Sequence, residues 1–439
     1  MQLLKGKTVV LGVTGSIAAY KTANLARMCK KEGADVHVLM TKNAVNFINP
    51  ITFESLIGNK CLVDTFDRNF EYSVEHVALA KKADVVMIAP ASANVIGKIA
   101  CGIADDMLTT TVMACTCRKI ISPAMNHNMY HNTIVQDNIK KLQKLDTEYT
   151  IVEPDRGMLA NGDIGDGRMP DESVLFEYIL RECAFEKTLA GKNVLVTAGA
   201  TREPFDPVRF VSNYSTGKMG TAAARAAMLK GANVTLVAAH MEVEPPQFVN
   251  VVRVQTAEEM YNALMSEFGA CDILIMAAAV ADYRPRQAAA EKIKKSGDNL
   301  TVEFERTKDI LEELGRRKEN QYICGFSMET ENTIENSKKK LEKKHLDMIA
   351  ANNLRTEGAG FGVDTNVLTL ITKDGITELP IMSKLEAASR LLNELKNYKW
   401  RVCQNENYRS ITPPSRLLSQ PCHLPYRGGN NSHNFKNNN

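Results

Sequence analysis

The stretch from residue 8 to residue 40 constrains the fold most. Thr8–Val13 reads as a short apolar strand, Gly15 and Ser16 as a turn, and residues 17 to about 31 as a helix. Gly33 ends that helix, and Val36–Met40 is a second apolar strand. A strand, helix and strand joined this closely imply a right-handed crossover and a parallel sheet. After a charged connector, Ala184–Leu189, a new strand and turn begin in NVLVTAGAT, residues 193–201. The chain has 439 residues, more than one average domain. The expected fold class is therefore α/β, with two three-layer Rossmann-like domains and mainly parallel sheets. We expect a first domain at 1–186, a second at 190–398 and a tail at 399–439. The tail is rich in Asn, Pro, Ser and Gly without periodicity, and is expected to be disordered.

Both domain openings suggest anion sites. The first turn puts free backbone N–H groups and the Ser16 hydroxyl at a helix N-terminus. Its glycine spacing is not G-x-G-x-x-G, which argues against a nicotinamide site. In the second domain, residues 212–219 resemble a Walker A loop only at its end. Ser212 stands where the first Gly is needed, and Met219 where Ser or Thr must follow Lys218. The run still offers backbone donors to the helix expected from about Met219 to Lys230. With 54 basic and 51 acidic residues, net charge gives no case for nucleic-acid or membrane binding. The ten cysteines lack CxxC pairs. Cys115 and Cys117 read as two core thiols sharing one face of a strand. The compartment is taken as reducing and cytoplasmic. Glycines and polar residues interrupt the apolar N-terminal run, so it reads as strand and turn rather than a signal peptide.

The segment SPAMNHNMYHN, 122–132, carries the most specific chemistry. It follows the apolar pair Ile120–Ile121, and Pro123 blocks a continuing ladder. Asn126 offers two donors and an acceptor for a carboxylate or amide. Met125 and Met129 are spaced to form an apolar wall if the segment is helical. Pro-x-Met-Asn-x-x-Met followed by an aromatic resembles the flavin-dependent cysteine decarboxylases that make phosphopantetheine. That resemblance implies a flavodoxin-like flavoprotein domain. It puts FMN contacts at Gly15, Ser16, Ile17 and Thr41, and at Ser92 and Asn94 in the small-residue run Pro90–Thr111. Small residues there fit a tight helix contact as well as a flat ring. His76 fits a structural role by itself, and the resemblance makes it a base near the substrate thiol. Gly157–Pro170, with four glycines, reads as a mobile loop rather than a packed element. It resembles the family's substrate clamp, with one departure. Asn161 stands where decarboxylases carry the cysteine that donates the final proton, and Asn has no acidic proton to give.

The second half resembles phosphopantothenate–cysteine ligases. The run DPVRFVSNYSTGKMG, 206–220, implies that Asn213 contacts the acyl phosphate. After the apolar strand 272–279, Asp282 lies at the carboxyl end of a strand, where open α/β sheets bind ligands. In EKIKK, 291–295, the resemblance makes Lys292 a catalytic phosphate contact, although such a charge run also fits a solvated face. Its nucleotide contacts would be Met276, Ala277, Ala278, Asp282, Lys292, Thr307, Lys308, Asp309, Ile310, Phe326, Lys340 and Lys344.

Residues 1 to about 398 thus resemble a bifunctional decarboxylase and ligase of coenzyme A synthesis. The resemblance implies ligation of 4′-phosphopantothenate with cysteine through an acyl-cytidylate, using CTP and Mg²⁺. FMN-dependent decarboxylation to 4′-phosphopantetheine would follow. It further implies a homo-oligomer, a dodecamer built from trimers and dimers, without nucleic-acid or membrane partners. Asn161 leaves a second reading open, an active ligase carrying an impaired or regulatory FMN module.

Overall fold

The computed structural model describes residues 1–65, 75–158, 162–294, 300–329, 332–353, 360 and 362–395. The chain divides into two units, Met1–Tyr398 and Lys399–Asn439, and every described residue lies in the first. The expectations for Asn161, Lys295 and the tail therefore fall outside the described residues.

The first sheet contains β1 (Thr8–Val13), β2 (Asp35–Met40), β3 (Val85–Ala91), β4 (Arg118–Pro123) and β5 (Tyr149–Ile151). Its order is β2-β1-β3-β4-β5, parallel throughout. Every residue of β1 and β3 is buried, as expected for strands covered on both faces. The helices of this half are α1 (Ala19–Lys31), α2 (Pro50–Ile57), α3 (Glu75–Lys82), α4 (Ala93–Cys101), α5 (Met107–Ala114), α6 (His127–Tyr130), α7 (Thr133–Gln143) and α8 (Glu172–Cys183). Helix α1 starts two residues later than the sequence suggests, and buries Thr22, Leu25, Ala26 and Cys29 at helical spacing.

Two expectations fail here. Cys115 and Cys117 do not share a strand: Cys115 caps the end of α5 and both precede β4. The thiols do meet, and their mutual hydrogen bond raises Cys115, with burial adding to the rise, while it lowers Cys117. The described residues of the glycine-rich run 157–170 are packed rather than free: β6 (Asp155–Met158) pairs antiparallel with β7 (Ile164–Arg168). Its glycines permit close approach. A Cβ on Gly165 would lie 2.7 Å from the His127 ring, and one on Gly167, whose φ is +121°, would lie 2.3 Å from the Met125 carbonyl oxygen.

The second half has β8 (Asn193–Ala198) at its centre. The strands β9 (Arg202–Pro204) and β10 (Phe210–Ser212) form a small antiparallel pair. β11 (Asn233–Ala238) and β12 (Asn250–Arg253) lie on one side of β8, and β13 (Ile273–Met276) on the other. A second small pair is β14 (Tyr283–Pro285) with β15 (Phe304–Arg306). The sheet continues through β16 (Tyr322–Glu329) and β17 (Met348–Asn353). After the short strand β18 (Thr365–Asn366) it ends in antiparallel β19 (Thr369–Thr372) and β20 (Ile376–Glu378); β21 (Met382–Ser383) pairs with β18. The order is β12-β11-β8-β13-β16-β17-β19-β20. Helices α9 (Lys218–Leu229), α10 (Ala257–Glu267), α11 (Ile310–Arg317), α12 (Thr333–Lys343) and α13 (Lys384–Glu394) complete this half. One core lies between this sheet and α10 to α12, built on Leu195, Met260, Leu264, Leu274, Leu314 and Leu341.

Candidate active sites

Each of the two large sheets has one point where strand order reverses, between β1 and β3 and between β8 and β13. Connections there leave in opposite directions, so a crevice opens at the carboxyl ends of the strands.

At the first crevice, Thr14 ties the two edges together. Its hydroxyl donates to the Pro90 carbonyl at 2.7 Å and accepts from the Ser92 N–H at 2.9 Å. The Gly15–Ser16 turn is therefore fixed beside the start of α4. Thr41 sits beside them, its N–H donating to the Val13 carbonyl at 3.0 Å. Ser92 begins α4 without using its hydroxyl as a cap, Asn94 is exposed, and Ile17 is 59% exposed. Ser122, at the end of β4, is fully buried with an unpartnered hydroxyl. Two helix N-termini, free hydroxyls and an exposed apolar side chain suit a phosphate-bearing group with a flat apolar part. His76 is half-buried in the first turn of α3.

Asn126 caps α6, its Oδ1 accepting from the Asn128 N–H at 2.9 Å. The partner is a donor, so the facing atom must be oxygen, and the amide NH₂ is left as the outward group. Helix α6 has one turn only. Met125 packs against the core but Met129 is 49% exposed, so the two do not form a common wall.

At the second crevice lies a cavity of about 410 Å³. It gathers Asn213, Ala277, Ala278, Asp282 and Phe326 from the expected set, with the α9 N-terminus Gly217–Gly220. Thr197 holds one wall through the Ala278 N–H, and Thr201 another through the Ala281 N–H, both at 3.0 Å. The remaining expected contacts are placed otherwise. Met276 is buried just before the cavity wall, and Ile310 is buried in the core. Thr307 donates its hydroxyl to the Ala281 carbonyl at 2.6 Å. Lys308 pairs with Glu258 and lies over the Tyr261 ring. Asp309 caps α11 and pairs with Lys344 at 2.8 Å. Burial would raise the Asp309 carboxyl, but Lys344 and the cap bond hold it below the usual range. Lys340 is exposed on α12.

Lys292 is exposed and does not line the cavity. The neighbouring Ile293 is anchored: its N–H donates to Asp206 at 3.2 Å and its carbonyl accepts from Arg209 at 3.0 Å. The DPVR motif thus grips the root of the lysine run.

Sequence reasoning missed two lysines in the cavity wall, Lys218 and Lys384. Lys218 pairs with Asp364 and the Gly362 carbonyl, both at 2.7 Å. Lys384 donates to the Gly360 and Val363 carbonyls. Burial, reinforced by Lys218, lowers Lys384 to about 8. Each lysine is the first residue of a helix, where the dipole disfavours a cation. That unfavourable placement was the available signal. Asn352 also lines the cavity, with its Oδ1 buried and unpartnered.

A flavoprotein family model matches residues 2–183, and a model of the DNA/pantothenate metabolism flavoprotein C-terminal domain matches 189–398. The coenzyme A biosynthesis bifunctional protein CoaBC of Bacillus subtilis (strain 168) is 43% identical over 397 residues, 90% of this chain and 97% of that protein. The chain belongs to the coenzyme A biosynthesis bifunctional protein family. It is a bifunctional enzyme of coenzyme A biosynthesis, with a flavoprotein decarboxylase domain and a ligase domain. The family's Haemophilus influenzae member (strain ATCC 51907 / DSM 11121 / KW20 / Rd) is 41% identical over 89% of this chain and 98% of its own. A crystal structure of the C-terminal domain of a CoaBC protein is 40% identical over 48% of this chain and 97% of its own, with a TM-score of 0.42. No described helix is long and apolar enough to cross a membrane.

Proposed function

We propose that residues 190–398 ligate 4′-phosphopantothenate to cysteine with CTP, and that residues 1–186 decarboxylate the product to 4′-phosphopantetheine with FMN. The observation that carries this is the gathering of Gly15, Ser16, Thr41 and Ser92 at one strand-order reversal, with Asn213, Asp282 and Phe326 at the other.

In the ligase half, activation is needed because a carboxylate is a poor electrophile. The α9 N-terminus and Lys218 offset phosphate charge, and the unpartnered Asn352 Oδ1 accepts from a ligand donor. Asn213, whose amide donates to the Ala279 carbonyl at 3.3 Å, lies beside the acyl phosphate. Among the described residues, no group of three possible metal ligands lies at this cavity.

In the decarboxylase half, Gly15, Ser16, Thr41, Ser92 and Asn94 would hold FMN, which would supply a reversible two-electron acceptor for the substrate thiol. Asn126 offers its outward NH₂ to the substrate carboxylate, and His76 accepts the thiol proton. Protonated His76 then returns a proton, standing in for the cysteine that Asn161 replaces.

The family resemblance is the basis for a homo-oligomer, a dodecamer of trimers and dimers, and exposed apolar residues are available for subunit contacts. Ile17, Tyr20, Phe47 and Ile51 belong to the first half, and Val208, Tyr214 and Tyr283 to the second. The lack of a membrane-crossing helix among the described residues is compatible with a cytoplasmic location.

Three measurements on the purified full chain test this reading. The released chromophore should be FMN, not FAD. CTP, phosphopantothenate and cysteine should yield CMP. Phosphopantothenoylcysteine without oxygen should give phosphopantetheine. Asn161 favours a second outcome, an oxidised product about two mass units lighter, left with reduced flavin. That product, restored to phosphopantetheine by Asn161→Cys, would establish an impaired flavin module instead.

A further inference from the structure

The hairpin β6–β7 is fastened to the segment that carries Asn126, and the fastening is built from side chains the reaction does not use. The Met125 N–H donates to the Gly167 carbonyl at 3.0 Å. One residue beyond Asn126, the His127 Nδ1 accepts the Asp166 N–H at 3.1 Å. The His131 Nε2 meets the Asp166 carboxylate at 2.9 Å, and the two imidazoles stack edge to face with centroids 4.4 Å apart. Asn126 therefore sits between two residues that are each bonded to β7. The bare Cα atoms of Gly165 and Gly167 let the strand come close enough to make those bonds.

We infer that His127 is a positioning residue for decarboxylation: as a backbone acceptor it locks β7 against 125–127 and fixes the direction of the Asn126 NH₂. The inference rests on the decarboxylase reading above. His131 and Asp166 are half-exposed, so their pairing adds little energy alone. What it adds is orientation, holding Asp166 where its own N–H meets His127.

The same three side chains bring one possible metal-ligating atom each within 4.8 Å of one another. A metal reading fails on one bond. The Asp166 N–H fills the lone pair of His127 Nδ1, so that nitrogen cannot ligate. Metal at Nε2 would require a proton on Nδ1, facing the Asp166 N–H.

The test compares His127→Ala with His127→Asn in the full chain, because an Asn side-chain oxygen can still accept the Asp166 N–H. For CO₂ release from phosphopantothenoylcysteine, His127→Ala should raise KM about tenfold, the loss of one well-placed hydrogen bond, with a smaller change in kcat. His127→Asn should recover most of that loss. Hydrogen exchange of peptides covering 125–127 and 164–168 should accelerate in His127→Ala and return towards wild type in His127→Asn. Continued CMP formation by the ligase half reports that each variant is folded. Wild-type KM and exchange in His127→Ala would overturn the inference. So would equal damage in both variants, which would mean that ring volume matters rather than the acceptor. Stoichiometric Zn²⁺ binding by calorimetry, lost in His131→Ala, would also overturn it in favour of a metal site. If wild type releases no CO₂, the decarboxylase reading fails, and the exchange measurements alone decide whether the fastening exists.

Discussion

Gly220→Ala and Gly97→Ala make the same chemical change at two helical positions and should move stability in opposite directions. Alanine is favoured over glycine in a helix by about 0.8–1.0 kcal/mol, so propensity alone predicts a gain at both. At Gly97, the fifth residue of α4, an added Cβ meets only the Asn138 side-chain amide, at an ordinary 3.6 Å. The gain should survive, and Gly97→Ala should stabilise by up to about 1 kcal/mol. At Gly220 the Cβ would lie 2.5 Å from the Thr197 carbonyl oxygen and 2.6 Å from the Ala198 Cβ. Ordinary contact begins at 3.4 Å, so α9 would have to retreat from β8 by roughly 0.9 Å. Ala223, Ala224, Ala226 and Ala227 are buried on the same helix, and all of them would lose packing. Overpacking of this kind costs typically about 1–3 kcal/mol, which at least cancels the propensity gain and leaves a net loss of up to about 2 kcal/mol. Urea unfolding followed by far-ultraviolet circular dichroism should show the midpoint fall for Gly220→Ala and rise for Gly97→Ala, with m unchanged. CMP formation should weaken in Gly220→Ala only, because the α9 N-terminus lines the cavity. A Gly220→Ala midpoint above wild type would refute the argument that β8 sets the position of α9.

Thr14→Val should cost about 1–3 kcal/mol and weaken flavin retention, since the Pro90 carbonyl and Ser92 N–H each lose a partner; denaturation and the flavin content of purified protein check both. Lys384 is lowered from 10.5 to about 8, so between those values the unfolded chain binds more protons, and the penalty for burying its charge is relieved as pH rises. Stability of wild type relative to Lys384→Met should therefore climb from about pH 8 towards 10.5 and be flat below that window, read from paired urea titrations. Lys292→Gln should slow CMP formation by the equivalent of ~3 kcal/mol if the exposed lysine reaches the triphosphate during turnover, and a normal rate would remove Lys292 from the catalytic set.

Local pattern made much of this chain legible. Apolar runs bounded by glycine gave β1, α1 and β2 within two residues of their observed limits, because strand and helix periods depend on near neighbours. The strand-end positions of Gly15, Ser16 and Asp282 followed from the same logic, whereas Asn213 came only from the family resemblance. Strand order did not, since residues far apart in the chain choose which strands pair, and that choice creates both crevices. The hairpin at 157–170 shows the limit most clearly. Four glycines read locally as freedom, while the use of two of them, Gly165 and Gly167, depends on His127 and Met125, some forty residues earlier, approaching the backbone. The lysines follow the same rule. Lys308 and Lys344 carry the charge that the motif suggested, but Glu258 and Asp309 engage it. Lys384, on a helix near the end of the described chain, reaches the cavity because α13 packs against α9. Sequence determines which elements form and which chemistry they carry. Only the tertiary structure decides which charges meet a ligand and which meet each other, because that depends on distance through space and not along the chain.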